Sequence, residues 1–455
     1  MKVFLTSVLA IAALSSGSIV KPSGDNFELL ILHNNDMHAR FEQTSQLSGA
    51  CTAEDREAGK CYGGFPRVAH VVKEARKAAQ TGEGPPVLYL NAGDTYTGTA
   101  WFTIYKWKIA AEFINALQPD AVSLGNHEVE DSISELASFI NNLTCPVLAA
   151  NLDLSKVPEL QVQMNLVNSI ILDVNGTKIG IIGYITPDTK ILSINNDIEY
   201  IEEVTAIEQE IAKLKDEGVK IFIALGHSGY LKDLQIAKEI KDIDLVIGGH
   251  SHTFLWNGTN PDIEISQGPY PTFVQQESGR MVPTVQAYAH TKYLGKLHLV
   301  FDSDGELIHT DGKPILLDNT IPQDPTVLQI VKDYHKKMQQ YTEQIIGSTS
   351  VNLDGDSCRL SECNMGNFIN DAIVEKYASE YEGDGWSDAP IAVMNSGDIR
   401  TSITSSNLPR NITKGDYIQV LPFSGSISKI SLKGSEVILM LEHSAAKYNP
   451  LDARG

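Results

Sequence analysis

At 455 residues the chain is too long for one ordinary domain of about 100–200 residues, so two or three compact units are expected. Its composition, 42% hydrophobic, 20% charged and 7% aromatic, is globular and excludes wholesale disorder. With 36 Lys plus Arg against 57 Asp plus Glu, the formal net charge of −21 argues against a nucleic acid polymer as partner, and any phosphate-bearing ligand must be met by a local cationic site of arginines or metal ions.

Residues 1–18 read as a secretory signal peptide. Lys2 makes a positive start, an apolar run covers 3–14, and Ser15, Ser16, Gly17 and Ser18 supply small residues for cleavage. The run is too short for a membrane span, which takes about 20 residues, and no other apolar run is long enough. A secreted, extracellular protein without a transmembrane segment is expected.

From there to about residue 323, short apolar runs alternate with helical patterns, the signature of a layered α/β domain. Strands are expected over 29–32, 87–90, 121–124, 221–225 and 245–247. Helices are expected over 68–80, 132–141 and 205–217, the first with its apolar residues on one face. Asp302, Ser303, Asp304 and Gly305 resemble part of a calcium loop but lack its remaining ligands, and read as a β-turn. A long helical pattern opens with Asp324 as cap and Pro325 in the first turn, runs to Ile345 and is stopped by Gly347. It reads as a linker helix over 324–346. A second α/β unit follows over 347–455, with an amphipathic helix over 435–447, and is expected to continue beyond Gly455.

The cysteines fit an oxidising compartment. Cys51 and Cys61, and Cys358 and Cys363, are close enough in sequence for each pair to staple a small loop, whereas their spacing is poor for zinc. Cys145 is left over and reads as a buried free thiol. Sequons at Asn142, Asn175, Asn257 and Asn411 are glycosylation acceptors in a secreted chain.

The chemistry lies at the carboxyl ends of the apolar runs. They end, in order, in His33-Asn34-Asn35-Asp36-Met37-His38, Asn91-Ala92-Gly93-Asp94, Gly125-Asn126-His127-Glu128, Gly226-His227 and Gly248-Gly249-His250-Ser251-His252. Ligands bind beyond the carboxyl ends of strands in α/β sheets, and five runs deliver Asp, Asn or His there. A single His after a strand is usually structural; five convergent runs point to a divalent metal centre of oxygen and imidazole ligands. Asp36 and His38, two apart, are expected on one side of an extended strand, reaching one ion together. Asp94 reads as a bridging carboxylate, Asn126, His227 and His250 as a second site, and His252 as a return to the first. Two such ions clamp the attacking and leaving oxygens of a phosphoryl displacement.

In this order, D-x-H, G-D, G-N-H-E, G-H and G-G-H-x-H resemble the calcineurin-like metallophosphoesterase superfamily. More narrowly, the chain resembles the secreted 5'-nucleotidase family, which includes animal ecto-5'-nucleotidases and blood-feeding arthropod apyrases. Gly98-Thr99-Ala100-Trp101-Phe102 and Glu362-Cys363-Asn364-Met365-Gly366-Asn367 add to the resemblance, which runs from about Phe27 to the end of the chain.

The resemblance implies a four-layer α/β/β/α metallophosphoesterase domain over 27–323, a linker helix and a C-terminal nucleotide-binding domain. It implies two divalent ions, zinc first, with manganese, cobalt, magnesium and calcium as alternatives. Asp36, His38, Asp94, Asn126, His227 and His250 take the ligand positions, while His252 stands where relatives vary. His127 takes the place of a transition-state histidine. The Asp that usually accompanies it is here Glu130, followed by Asp131; the extra methylene leaves activity expected but reduced. In the second unit, Arg359 falls within the small Cys358–Cys363 loop, and Asn395 and Arg400 fall in Asn395-Ser396-Gly397-Asp398-Ile399-Arg400; all three take substrate positions. Phe423 is one of two rings that sandwich the base. The second ring, a neighbouring acidic residue and any lipid-anchor signal would lie beyond residue 455.

The expected activity is removal of phosphate from extracellular adenine nucleotides, with AMP (5'-nucleotidase) and ADP or ATP (apyrase) both open as substrates. Family relatives also imply domain rotation between open and closed forms. The competing reading, a nucleotide-binding protein with weakened catalysis, rests on Glu130. The sequence sets no oligomeric state.

Overall fold

The computed structural model describes residues 26–193, 196–423, 427–446 and 448; the signal peptide expected over 1–18 lies outside them. Two β-sheets stack face to face, each covered on its outer side by helices. In the first sheet the strand order is Leu307–Gly312, Tyr293–Phe301, Phe27–Asn34, Val87–Asn91, Ala121–Ser123, Val147–Leu148 and Leu166–Val167, with Ile315–Leu316 also pairing on Tyr293–Phe301. In the second it is Thr272–Gln275, Met281–Val285, Leu245–Ile247, Ile221–His227, Thr177–Ile185 and Ser169–Val174.

Side-chain alternation explains the layering. Strands buried on both faces read as continuous apolar runs. Leu29, Ile31, Leu88 and Leu90 from one sheet meet Ile181, Ile223, Leu225 and Ile247 from the other in a shared core. The alternate residues Leu32, Tyr89 and Val122 face outward onto the helices Phe65–Thr81 and Trp107–Leu117. On the far side, Ile182, Phe222 and Val246 pack against Ile207, Ile211 and Ile236 from the helices Glu203–Asp216 and Tyr230–Glu239. This is the four-layer α/β/β/α architecture that the family resemblance implies. The helix Ile133–Asn142 starts at Ser132, whose side chain accepts from Glu135 N.

The helix beginning after Asp324 spans Pro325–Thr342, and the Asp324 carboxylate accepts from Val327 N at 3.0 Å. It does not run on to Ile345. Ile345 and Ile346 belong to the strand Ile345–Thr349, which pairs antiparallel with Arg410–Thr413; two β-branched residues prolonged the apolar spacing that suggested a longer helix. Nor is the helix only a linker. Val327, Val331 and Met338 join the core of the first sheet's helical layer, as does Ile418 from the second unit.

That second unit closes on a small core of Leu353, Met365, Ile369, Ile399, Ile403 and Val420. The helix expected over 435–447 is Gly434–Ala445, and Lys447 lies outside the described residues. Disulfides join Cys51 to Cys61 and Cys358 to Cys363, and Cys145 is free and buried. The Asp302 carboxylate accepts from Asp304 N and Glu306 N, closing the turn expected there. All four sequon asparagines are exposed. Among the described residues, no helix is long and apolar enough to cross a membrane.

Candidate active site

The strands Phe27–Asn34, Val87–Asn91, Ala121–Ser123, Ile221–His227 and Leu245–Ile247 all end at one edge of the sandwich, and their following loops converge. Asp36, His38, Asp94, Asn126 and His227 are all buried there. Asp36 and His38 do not arrive by strand alternation, because the strand ends at Asn34. They stand in left-handed backbone, φ 50° and 47°, as do Asp94, His250 and His252 at 55°, 75° and 51°. Non-glycine residues reach this region only where the surroundings over-determine it, and such strain gathers at functional sites.

Asp94 stands at the centre. Its Oδ2 is 2.8 Å from His227 Nε2, 3.8 Å from His127 Nε2 and 3.9 Å from His38 Nε2. Asp36 Oδ1 is 3.6 Å from His227 Nε2 and 3.3 Å from His252 Nε2, and His250 N donates to the Asp36 carboxylate. Single ligand atoms of Asp94, His227 and His250 fall within 4.8 Å of one another, as do those of His38, Asp94 and His127. Two histidines are oriented from behind: His227 Nδ1 is 2.7 Å from Ala92 O and His38 Nδ1 is 3.1 Å from Thr97 O. A proton on each Nδ1 leaves the Nε2 lone pair facing the cluster, the usual arrangement for metal ligands.

The donor set fits two divalent ions. Burial alone would depress His227, yet the Asp94 and Asp36 carboxylates raise its imidazole to about 10. Asp94 itself is pulled below the usual carboxylate range, burial being outweighed by His227 and His127. Asn126 Oδ1 is buried without a hydrogen-bond partner. Two buried carboxylates among converging imidazoles, beside an orphaned amide oxygen, call for positive charge at their centre.

His127 and Glu130 meet. His127 Nδ1 is 2.7 Å from Glu130 Oε1, and the other Glu130 oxygen accepts from Thr97 Oγ1 at 3.2 Å. The longer side chain therefore reaches its histidine. Asp131 turns away to pair with Lys106 Nζ at 2.8 Å.

The second unit faces the same cluster. Arg359, Asn395, Arg400 and Phe423 line a cavity of about 950 Å³ together with His127 and Asp94. Phe423 stacks on His127 with centroids 5.5 Å apart and planes at 17°, and Arg400 Cζ lies 5.4 Å from the Phe423 centroid. Arg400 is pushed down to about 10, by burial first and then by the neighbouring Arg359, and its Nη2 is buried with no hydrogen-bond partner.

Sequence reasoning assigned no role to Glu128 or Asn35. The Glu128 carboxylate accepts from the backbone N–H groups of Asp94, Thr95, Tyr96 and Gly125 at 2.7–3.0 Å, tying the Asp94 loop to the Asn126 loop. Gly125 permits that approach, since a Cβ there would lie 2.1 Å from Asp94 Oδ1. Asn35 donates to Asp36 Oδ2 and Tyr288 O, and accepts from Ala287 N. The only sequence signal for Glu128 was its place in Gly125-Asn126-His127-Glu128.

Fold and cluster together define a calcineurin-like metallophosphoesterase, and the model of that superfamily matches residues 29–254. A second family model, the 5'-nucleotidase C-terminal domain, matches residues 345–454. The chain is 44% identical to Protein 5NUC of Lutzomyia longipalpis, over 96% of this chain and 76% of that one. It is 39% identical to the snake venom 5'-nucleotidase of Naja atra, over 93% and 79%. The crystal structure of the Thermus thermophilus 5'-nucleotidase precursor superposes with a TM-score of 0.80 at 30% identity, covering 94% of this chain and 80% of that one. The chain belongs to the 5'-nucleotidase family and is a metal-dependent phosphoester hydrolase.

Proposed function

We propose that the protein is a secreted nucleotide phosphohydrolase that removes phosphate from extracellular adenine nucleotides, acting on AMP, ADP or ATP. The observation that carries this reading is the meeting, in one cavity, of a carboxylate–imidazole cluster from the two-sheet body with two arginines from the second unit. Clustered carboxylates repel a phosphate unless cations stand between them, and paired guanidinium groups are suited to its oxygens.

Asp36, His38, Asp94, Asn126, His227, His250 and His252 would hold two divalent ions, zinc foremost. Such ions polarise a phosphoryl oxygen and make a water nucleophilic near neutral pH. His127, oriented through Nδ1 by Glu130, directs Nε2 toward the side of the cluster where charge builds on the transferring group. Arg359 and Arg400 bind the phosphate oxygens, with Asn395 beside them. Phe423 offers its face to the base. Because that ring now lies on His127, a nucleotide entering between them must separate the two, consistent with rotation of the second unit. The 12-residue apolar run near the start, the four exposed sequons and the two disulfides support secretion.

The test is a product profile. Purified protein is given AMP, ADP and ATP separately, and phosphate and nucleoside products are followed. Adenosine from AMP alone assigns a 5'-nucleotidase, AMP accumulating from ATP and ADP assigns an apyrase, and no release from any nucleotide overturns the proposal. Recovery of the protein from the medium of expressing cells tests secretion.

A further inference from the structure

His290 has no part in the proposed function. It follows the strand Met281–Val285 and precedes Tyr293–Phe301, the antiparallel neighbour of the first strand. An antiparallel strand begins where its neighbour ends, so Tyr293–Phe301 carries its preceding loop to the edge where Asp36 and His38 stand. The loop is bolted there: His290 N donates to Asp36 O at 2.8 Å, and Asn35 bridges Tyr288 O and Ala287 N. Tyr288, His290 and Thr291 all hold left-handed backbone, φ 60°, 59° and 61°.

The His290 ring is placed against two others. Its centroid lies 5.6 Å from that of His38 and 5.3 Å from that of His252. One nitrogen from each of the three rings falls within 4.8 Å of the other two, and His38 Nε2 and His252 Nε2 are 3.0 Å apart. Both ring nitrogens of His290 are buried with no hydrogen-bond partner. Leaving a buried polar group unpaired is costly, so an orphaned ring nitrogen aimed at two other imidazoles calls for a ligand. Asp36 Oδ1 is 3.3 Å from His252 Nε2, which adds negative charge to the same point. Imidazoles converging beside a carboxylate suit a borderline cation of the zinc type.

We propose that His290 is an additional imidazole ligand to the ion held by Asp36 and His38, so that this position is nitrogen-rich and selects zinc-type ions over manganese, magnesium or calcium. With Asp94 bridging, this position would take three imidazoles (His38, His252 and His290), whereas the other, completed by Asn126, His227 and His250, would take two and is less selective. The inference rests on the two-metal reading of the proposed function and adds a ligand and an asymmetry between the two positions.

The test measures metal content and not turnover. Metal-stripped protein is dialysed against zinc with manganese in excess, bound ions are counted by mass spectrometry, and zinc affinity is measured by chelator competition. Two variants are compared, His290→Asn, because Asn tolerates left-handed backbone, and His290→Phe, which keeps a ring volume. Wild type is expected to hold two ions, with zinc retained in one position against manganese. Each variant is expected to lose zinc affinity at that position by about 10- to 100-fold, with the other unchanged. Two wild-type ions together with unchanged affinity and selectivity in both folded variants would overturn the role of His290 alone. A wild type that binds no divalent ion would overturn the two-metal reading, and this inference with it.

Discussion

Glu130 Oε1 lies 2.7 Å from His127 Nδ1, and the same carboxylate is steadied by the Thr97 hydroxyl. The contact sets the tautomer and aim of a ring whose other nitrogen faces Asp94. Burial alone would depress His127, but the neighbouring Asp94 and Glu130 carboxylates hold it above its usual range. Removing the ring in His127→Ala should lower kcat by about 100- to 1,000-fold, the usual cost of losing one preorganised donor. Glu130→Gln should lower kcat by about 10- to 100-fold with KM little changed, whereas Glu130→Asp should stay within about tenfold of wild type. Steady-state kinetics on AMP and ATP check all three. A Glu130→Gln variant as active as wild type would show that the contact is structural.

Glu128 should matter without touching substrate. Its carboxylate takes four backbone N–H groups across two loops that carry Asp94 and Asn126. In Glu128→Gln one oxygen becomes an amide donor facing donors, at a cost of about 1–3 kcal/mol. The expected result is a thermal midpoint lowered by several degrees and weaker retention of both ions, read by calorimetry and metal analysis.

The arginines should separate binding from chemistry. Charge-assisted hydrogen bonds contribute about 1.5–3 kcal/mol each, so Arg359→Ala and Arg400→Ala should each raise KM by about 10- to 100-fold. Arg400→Lys should recover little of that loss, because an ammonium cannot reproduce the planar fork. Equal losses in kcat with unchanged KM would contradict a role in holding the substrate.

Asp233 supplies a pH dependence. Burial raises its carboxyl to about 7, although Tyr184 Oη and Gln286 Nε2 donate to it at 2.7 Å. A folded-state value above the unfolded one means that the native protein binds the proton more tightly. Its stabilisation is complete below about pH 4 and is lost as pH rises through 7. The stability difference between wild type and Asp233→Asn should therefore shrink from pH 5 to pH 7, by at most about 1.4 kcal/mol per pH unit. Thermal unfolding of the two proteins side by side measures it; a difference that grows over this range would contradict the shift.

Much of the site was legible because each candidate ligand follows an apolar run, and such runs mark strand ends. Asp94, Asn126, His227 and His250 come together as that logic requires. It was wrong about how Asp36 and His38 arrive: two-residue alternation assumes extended chain, and both stand in left-handed backbone past the strand. Glu128 and Asn35 were not legible because their partners are backbone groups brought near only by folding. His290 was missed for a topological reason. It precedes an antiparallel strand, whereas the sequence signal marks only the residues that follow a strand. The fold shows the same division: strand and helix positions follow from local pattern, whereas the end of the Pro325–Thr342 helix was set by pairing of Ile345–Thr349 with Arg410–Thr413.

The proposed reaction is hydrolysis of nucleotide phosphate at a metal cluster built on Asp36, His38, Asp94, Asn126, His227 and His250. The most direct test is phosphate release from AMP, ADP and ATP by the purified protein, before chelation, after removal of metal, and after zinc is restored. Release is expected to be abolished by the chelator and recovered with about two zinc ions per chain. Release that persists in metal-free protein, or none from a protein holding both ions, would contradict it.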